Sequence, residues 1–146
     1  MKKVLSALAA ALVIVFFLSG CSFTTNFSDN TGTSTMEAAD KVETMVAALT
    51  DGDADAALEL MHPNRTDAET GIKQMCEYMA GRKVVELNHQ NLRVSTKSGN
   101  GGDARQESAA IRAELEDGTV IFFSVVYLTD SSGEGFASFQ LVLGVI

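Results

Sequence analysis

Residues Leu18 to Cys21 have the types and spacing of a site for covalent lipid attachment. They follow a basic start at Lys2 and Lys3 and the apolar run Val4 to Leu18, which is the order of a bacterial lipoprotein signal peptide ending in its lipobox. In that chemistry the thiol of the cysteine receives a diacylglyceryl group, and a peptidase then cuts before it. We therefore predict a signal peptide over residues 1–20 and lipidation at Cys21.

Two other interpretations of this start fit less well. A transmembrane helix needs about 20 apolar residues, and Val4 to Leu18 is shorter. A plain secretory signal ends in a small-x-small site, whereas here Leu18 precedes Cys21 by three residues. Since a diacylglyceryl group supplies two acyl chains, it would anchor the protein stably. The expected location is the extracytoplasmic face of the cell membrane, or the outer membrane if the host has one.

Charge restricts the partners of the mature chain. The sequence has 11 Lys and Arg against 19 Asp and Glu, a formal net charge of −8, and cleavage would remove the cations Lys2 and Lys3. Phosphate backbones and anionic lipid headgroups repel such a surface. We expect no nucleic-acid partner, and membrane contact through the lipid alone.

Cysteine use indicates an exported protein that does not depend on disulfides. Cys21 would carry lipid, which leaves Cys76 alone. Cys76 shares a helical stripe with Ile72, Met75 and Met79, where a free cysteine usually behaves as a small buried hydrophobe. A nucleophilic thiol would need an electropositive, partly exposed setting.

The remaining chain divides into a linker and one domain. Residues 21–33 comprise the lipidated cysteine and a polar stretch without periodicity, which predicts a flexible tether. Residues 34–146 suit a single domain with one core.

Three helices are predicted in the first half of that domain. Ser34 to Glu37 and Thr66 to Glu69 fit capping boxes that open the first and third helices. Asp53 is placed to cap the second helix, which Pro63 ends, and Gly81 ends the third.

Four strands are predicted in the second half. The first runs from Lys83 to Thr96 with a bulge at residues 88–91, and the second places Ala109, Ile111, Ala113 and Leu115 on one face. A tight turn at Asp117-Gly118 leads to the third, Thr119 to Leu128, and the fourth runs from Phe136 to Ile146. The predicted fold class is α+β, with three N-terminal helices packed on a bent four-stranded antiparallel sheet.

This order resembles the nuclear transport factor 2-like (cystatin-like) superfamily. The resemblance covers Met36 to Ile146 and rests on the long first helix, the Gly52-Asp53 step, the short helix ending at His62-Pro63 and the bent sheet. It implies a cone-shaped domain of the kind found in many small bacterial lipoproteins. The superfamily includes ketosteroid isomerases, related cyclases, scaffolds and ligand binders, so membership does not select a function. No residue here matches the isomerase motif.

Candidate site residues are few. Glu77 and Tyr78 on the third helix and His89 near the strand bend are the polar residues that we expect near a pocket mouth. The Asp51 to Asp55 stretch begins like a calcium loop but lacks its glycine and its closing glutamate, so a helix end followed by a helix cap explains it better. We expect no metal site and no cofactor.

A second candidate is a protein interface. Pairing across Asp117-Gly118 with Leu115 opposite Val120 would turn one strip of the third strand outward, away from the helices. The strip consists of Ile121, Phe123, Val125 and Tyr127. We predict that it pairs with a second copy or an envelope protein, the alternative being that sheet curvature, a neighbouring strand or the tether covers it.

Two functions remain open from the sequence. The favoured one is a lipid-anchored domain that binds a small apolar ligand or a protein partner without catalysis. The alternative is an isomerase- or hydrolase-like enzyme, which would need charged or acidic groups inside the cone.

Overall fold

The structure is a computed structural model that describes residues 36–142 and, before them, the strand Thr24–Asn26. The predicted signal peptide, Cys21 and the Ser34 start of the first capping box lie outside the described residues. Within the described part, the helices are all too short or too polar to span a bilayer.

Three helices occupy the first half of the domain, as predicted. They are α1 (Ala39–Thr50), α2 (Ala54–Glu59) and α3 (Glu69–Met79). Helix α1 buries one face at helical spacing, and α3 does the same with Ile72 and Met79 among its buried residues. Burial of these two stripes against the sheet is what holds the helices in place, since short isolated helices are marginal in water.

The helix caps were predicted correctly at only one of three positions. Asp53 caps α2, its Oδ1 accepting from the Ala56 amide at 3.0 Å. The capping box at Ser34 to Glu37 was wrong, because α1 begins at Ala39. The second box was wrong too, because Ala68 occupies the N-cap position of α3 and no side chain bonds there.

The sheet has five strands in the order of the chain. They are β1 (Thr24–Asn26), β2 (Val84–Lys97), β3 (Ala104–Leu115), β4 (Val120–Asp130) and β5 (Gly133–Val142). Strands β2 to β5 form the predicted antiparallel meander. Strand β1 pairs parallel with β2 and was not predicted, since it lies in the stretch expected to be a flexible tether. Because β1 precedes α1, the helices come before the sheet only in part.

The predicted bulge in β2 is confirmed. Pairing with β3 shifts between Gln90 and Arg93, and Asn91 has a φ of 55°. Asparagine tolerates this left-handed conformation better than most residues. The bulge explains why apolar side chains change from odd to even positions along β2.

The predicted register of β3 with β4 was wrong by one residue. We expected Leu115 opposite Val120, whereas Glu114 is opposite Val120. The Leu115 amide donates to the Thr119 carbonyl at 2.8 Å, so the loop between them has three residues rather than two. Gly118 closes that loop at a φ of 86°, the left-handed position that a three-residue hairpin requires.

This shift reverses the faces of β4. The strip that we predicted to face outward, Ile121, Phe123, Val125 and Tyr127, is 0–7% exposed and belongs to the core. The predicted interface on these residues is therefore wrong, because a one-residue slip moves every side chain to the other face.

Aromatic side chains fill the space between the helices and the sheet. Phe123 lies 5.1 Å from Phe139, and Phe136 contacts both Phe139 and Tyr127 edge to face at 5.0 Å between ring centres. These rings belong to one continuous core that includes the buried stripes of α1 and α3. Edge-to-face packing of this kind adds to the stabilisation from burial.

Backbone hydrogen bonds attach the segment after α2 to β5. The His62 amide donates to the Phe136 carbonyl at 3.0 Å, and the Phe136 amide donates to the Leu60 carbonyl at 2.9 Å. A Cβ on Gly135 would lie 2.5 Å from the His62 nitrogen, so this approach requires a residue without a side chain. The His62 imidazole is also buried, with Nε2 at 3.1 Å from Oδ1 of Asp130.

Candidate functional site

The three residues predicted at a pocket mouth do not come together. His89 is fully buried on β2, opposite Ile111, and Glu77 is exposed on α3. Tyr78 is half-buried and lines a groove between α3 and β5. Of the three, Tyr78 is therefore the one that lines this groove.

This apolar groove has a volume of about 420 Å³. Its residues come from about two turns of α3 and from the end of β5: Gly71, Gln74, Met75, Tyr78, Phe139, Gln140 and Leu141. The volume lies within the usual range for small-molecule sites, about 300–1,000 Å³.

Local sequence explains the shape of the apolar groove. Gly71 leaves space on α3, since a Cβ built there meets no atom within 4 Å. Arg82 holds Tyr78, because its guanidinium lies 4.3 Å above the ring and its Nε donates to the Tyr78 carbonyl at 2.6 Å. Met75 and Phe139 are almost fully buried and belong to the core beneath the groove.

The lining of the apolar groove carries few polar groups. Among its lining residues, the Tyr78 phenol is the only ionisable group. Gln74 and Gln140 are exposed and can each donate and accept hydrogen bonds to a polar end of a ligand. The arrangement therefore suits an apolar molecule with few polar atoms.

A smaller polar cavity of about 230 Å³ lies at the start of α1. Its lining includes four carboxylates and two cations: Glu37, Asp40, Glu107, Glu134, Lys41 and Arg105. Tyr127 and Thr129 of β4 complete it together with Ala38.

Glu107 is the central residue of the polar cavity and is only 3% exposed. Its two carboxylate oxygens accept from the backbone amides of Glu37 at 2.9 Å and Ala38 at 3.1 Å. Arg105 lies 3.8 Å from the same carboxylate and 3.2 Å from Glu37. Glu107 thus caps α1 from β3, placing a negative charge where the helix dipole favours one.

Tyr127 is opposite Glu107 in the sheet. Burial raises the pKa of the Tyr127 phenol, and the nearby carboxylates of Glu134, Asp40 and Glu107 raise it further. A phenol beside a carboxylate is the type of pair that the isomerase-like alternative requires. However, both Glu107 oxygens accept from backbone amides at the start of α1, which gives this carboxylate a structural role.

Cys76 is buried and free, as predicted. Burial raises the pKa of its thiol, and the negative charge of Asp53 adds to the effect. The thiol is therefore protonated at neutral pH, which argues against a nucleophile. Within the described residues, His, Cys, Asp and Glu form no group that could hold a metal ion.

Comparison with protein-family models and with curated proteins gives no match.

Sequence reasoning missed Glu107 and the β5 side of the apolar groove. Glu107 has the same parity on β3 as the buried Ala109 and Ile111, so strand alternation placed it on the inner face. A carboxylate at a core-facing position is a signal of a paired buried charge. Phe139 and Leu141 gave no comparable signal, because their approach to α3 depends on tertiary packing.

Proposed function

We propose that the protein is a lipid-anchored extracytoplasmic binding protein, whose domain takes a small apolar ligand in the groove between α3 and β5 without catalysis. Lipidation at Cys21 is inferred from the Leu18 to Cys21 sequence. The binding function depends on one observation, the apolar groove of about 420 Å³.

The isomerase- or hydrolase-like alternative receives less support from the charged groups. A general base must lie within hydrogen-bond reach of the substrate proton that it takes, and Glu107 is only 3% exposed. Glu107 directs both oxygens at backbone amides, 2.9 Å and 3.1 Å away. A nuclear transport factor 2-like fold remains part of this proposal, supported by the three helices and the four-stranded antiparallel meander.

Gly71 offers a variant that blocks the groove without disturbing the backbone. Because nothing lies within 4 Å of a Cβ at Gly71, Gly71→Leu can extend into the groove. Gly71→Ala is its matched control, since it adds one methyl group and leaves most of the groove open. Either substitution replaces a glycine inside α3 and should stabilise the helix by about 1 kcal/mol.

The test uses residues 21–146 with Cys21→Ser, so that neither acyl groups nor detergent compete for the groove. Native mass spectrometry of this chain should detect a co-purifying small molecule, and the fluorescence of Nile red should rise on binding. Both signals should persist in Gly71→Ala and fall at least tenfold in Gly71→Leu. Equal Nile red binding by all three chains, with no co-purifying mass, would contradict a ligand site in this groove.

A further inference from the structure

Strand β1 attaches the start of the mature chain to the sheet. Thr24, Thr25 and Asn26 pair in parallel with Glu86, Leu87 and Asn88 of β2. The strand lies within residues 21–33, the stretch that composition alone predicts to be a tether. Any lipid on Cys21 is therefore separated from a structured element by Ser22 and Phe23 alone.

Chain length limits how far that lipid can lie from the sheet. Three peptide units join Cys21 to Thr24, and an extended chain spans at most about 3.6 Å per residue. The two Cα atoms are thus within about 11 Å of each other. An unstructured tether through residue 33 would allow more than three times that distance.

The parallel pairing also fixes which end of the sheet is near the lipid. Because β1 and β2 run in the same direction and Thr24 pairs with Glu86, the first residue of β1 lies near the end where β2 begins. That end holds the α3–β2 turn and the β3–β4 hairpin. The two are joined by a hydrogen bond, in which the Glu116 amide donates to the Lys83 carbonyl at 2.8 Å. We name this the proximal end.

The opposite end holds the β2–β3 loop and the β4–β5 turn. A Cβ on Gly102 would lie 3.6 Å from Ser131, which shows that these two loops are neighbours. Strand β4 runs between the two ends, and its eleven residues span at most about 34 Å. We name this the distal end.

We infer that the domain sits against the bilayer with its proximal end facing the lipid headgroups and its distal end facing away. This inference rests on the proposed function, because it needs lipid on Cys21. Charge is not what brings the surface to the membrane, since the cations Arg82 and Lys83 are balanced by Glu116 and Asp117. The short connection through β1 is what holds the proximal end close.

Quenching of fluorescent probes by headgroup nitroxide lipids tests this orientation. Probes are placed at Lys83→Cys on the proximal end and Ser131→Cys on the distal end, both exposed positions. The full chain is produced in its host, labelled with an acyl tracer and reconstituted into vesicles of phosphatidylcholine containing the nitroxide lipid. Quenching at residue 83 should exceed quenching at residue 131 at least threefold.

Two insertions separate a short anchor from a long tether. Ten Gly-Ser residues inserted between Phe23 and Thr24 add about 17 Å of root-mean-square reach before β1. They should reduce the quenching ratio to about one. The same insertion between Asn30 and Thr31 follows β1 and should leave the ratio unchanged, which makes it the matched control.

The outcomes distinguish this inference from the proposed function. Two results would overturn the orientation alone, in a chain that carries the acyl tracer. One is a ratio near one between quenching at residue 83 and at residue 131, and the other is an equal fall of that ratio with either insertion. A chain without acyl tracer overturns lipid anchoring and the orientation with it.

Discussion

Replacing Glu107 should destabilise the domain through the start of α1. The carboxylate is 3% exposed and accepts from two backbone amides, at 2.9 Å and 3.1 Å. Hydrogen bonds to a charged group contribute about 1.5–3 kcal/mol each. The Ala38 amide is buried and would lose its partner, whereas Glu37 is exposed and its amide can bond to water instead. We expect Glu107→Gln, which keeps one acceptor, to lose about 2 kcal/mol of unfolding free energy, and Glu107→Ala about 4 kcal/mol.

Urea unfolding followed by circular dichroism measures these losses, and an unchanged m-value would show that the unfolded states are comparable. Glu134→Gln is the matched control, because Glu134 is an exposed carboxylate lining the same polar cavity. We expect it to change stability by less than about 0.5 kcal/mol. Hydrogen exchange should also show early loss of protection at the Ala38 amide in Glu107→Gln. If Glu107→Gln and Glu134→Gln unfold at the same urea concentration, the capping role of Glu107 is refuted.

Two further predictions concern the attachment of the α2–α3 segment to β5. Gly135→Ala should lower the unfolding free energy measured in urea by about 3 kcal/mol, because its Cβ would lie 2.5 Å from the His62 nitrogen. Gly99→Ala is the control and should be neutral, because a Cβ there has no atom within 4 Å. Equal stability of the two variants would refute the close approach. A backbone amide of the β4–β5 turn, and then His62, lower the pKa of Asp130, so its ionised form stabilises the fold. That contribution is complete above the unfolded pKa of about 3.9 and disappears as pH falls through the lowered value. Asp130→Asn should therefore be less stable than the natural chain at pH 7, and the difference should shrink as the pH falls below about 3.9. A difference in stability that is independent of pH would contradict this.

The sequence predicted those elements whose signals are local. Helical spacing along α1 and α3 and the apolar alternation of β3 depend on neighbouring residues, and the structure confirms them. The cap at Asp53 was also predictable, because its side chain accepts from the amide of Ala56, only three residues along the chain.

The features that sequence reasoning missed depend on distant contacts. Helix α1 has no side-chain cap of its own, because Glu107 supplies the acceptor from 70 residues away. Strand β1 has three polar residues and no periodicity, so only its pairing with β2 reveals it. Such elements are stabilised by tertiary context rather than by propensity.

The β3–β4 hairpin shows how a small local error changes a functional prediction. Asp117-Gly118 fits a two-residue turn as well as the last two positions of a three-residue loop, and the observed loop is the longer one. The difference moved Phe123 and Tyr127 from a predicted interface into the core. Candidate surfaces on strands therefore need the register before they can be assigned.

Lipid attachment at Cys21 is the central claim, and metabolic labelling with an alkyne fatty acid tests it most directly. The natural chain should carry the label and partition with membranes, and Cys21→Ser should lose both the label and the membrane association. Cys76→Ser is the matched control, because Cys76 is buried in the domain core, and it should remain labelled. Label that persists on Cys21→Ser, or a natural chain that takes up none, would contradict the account.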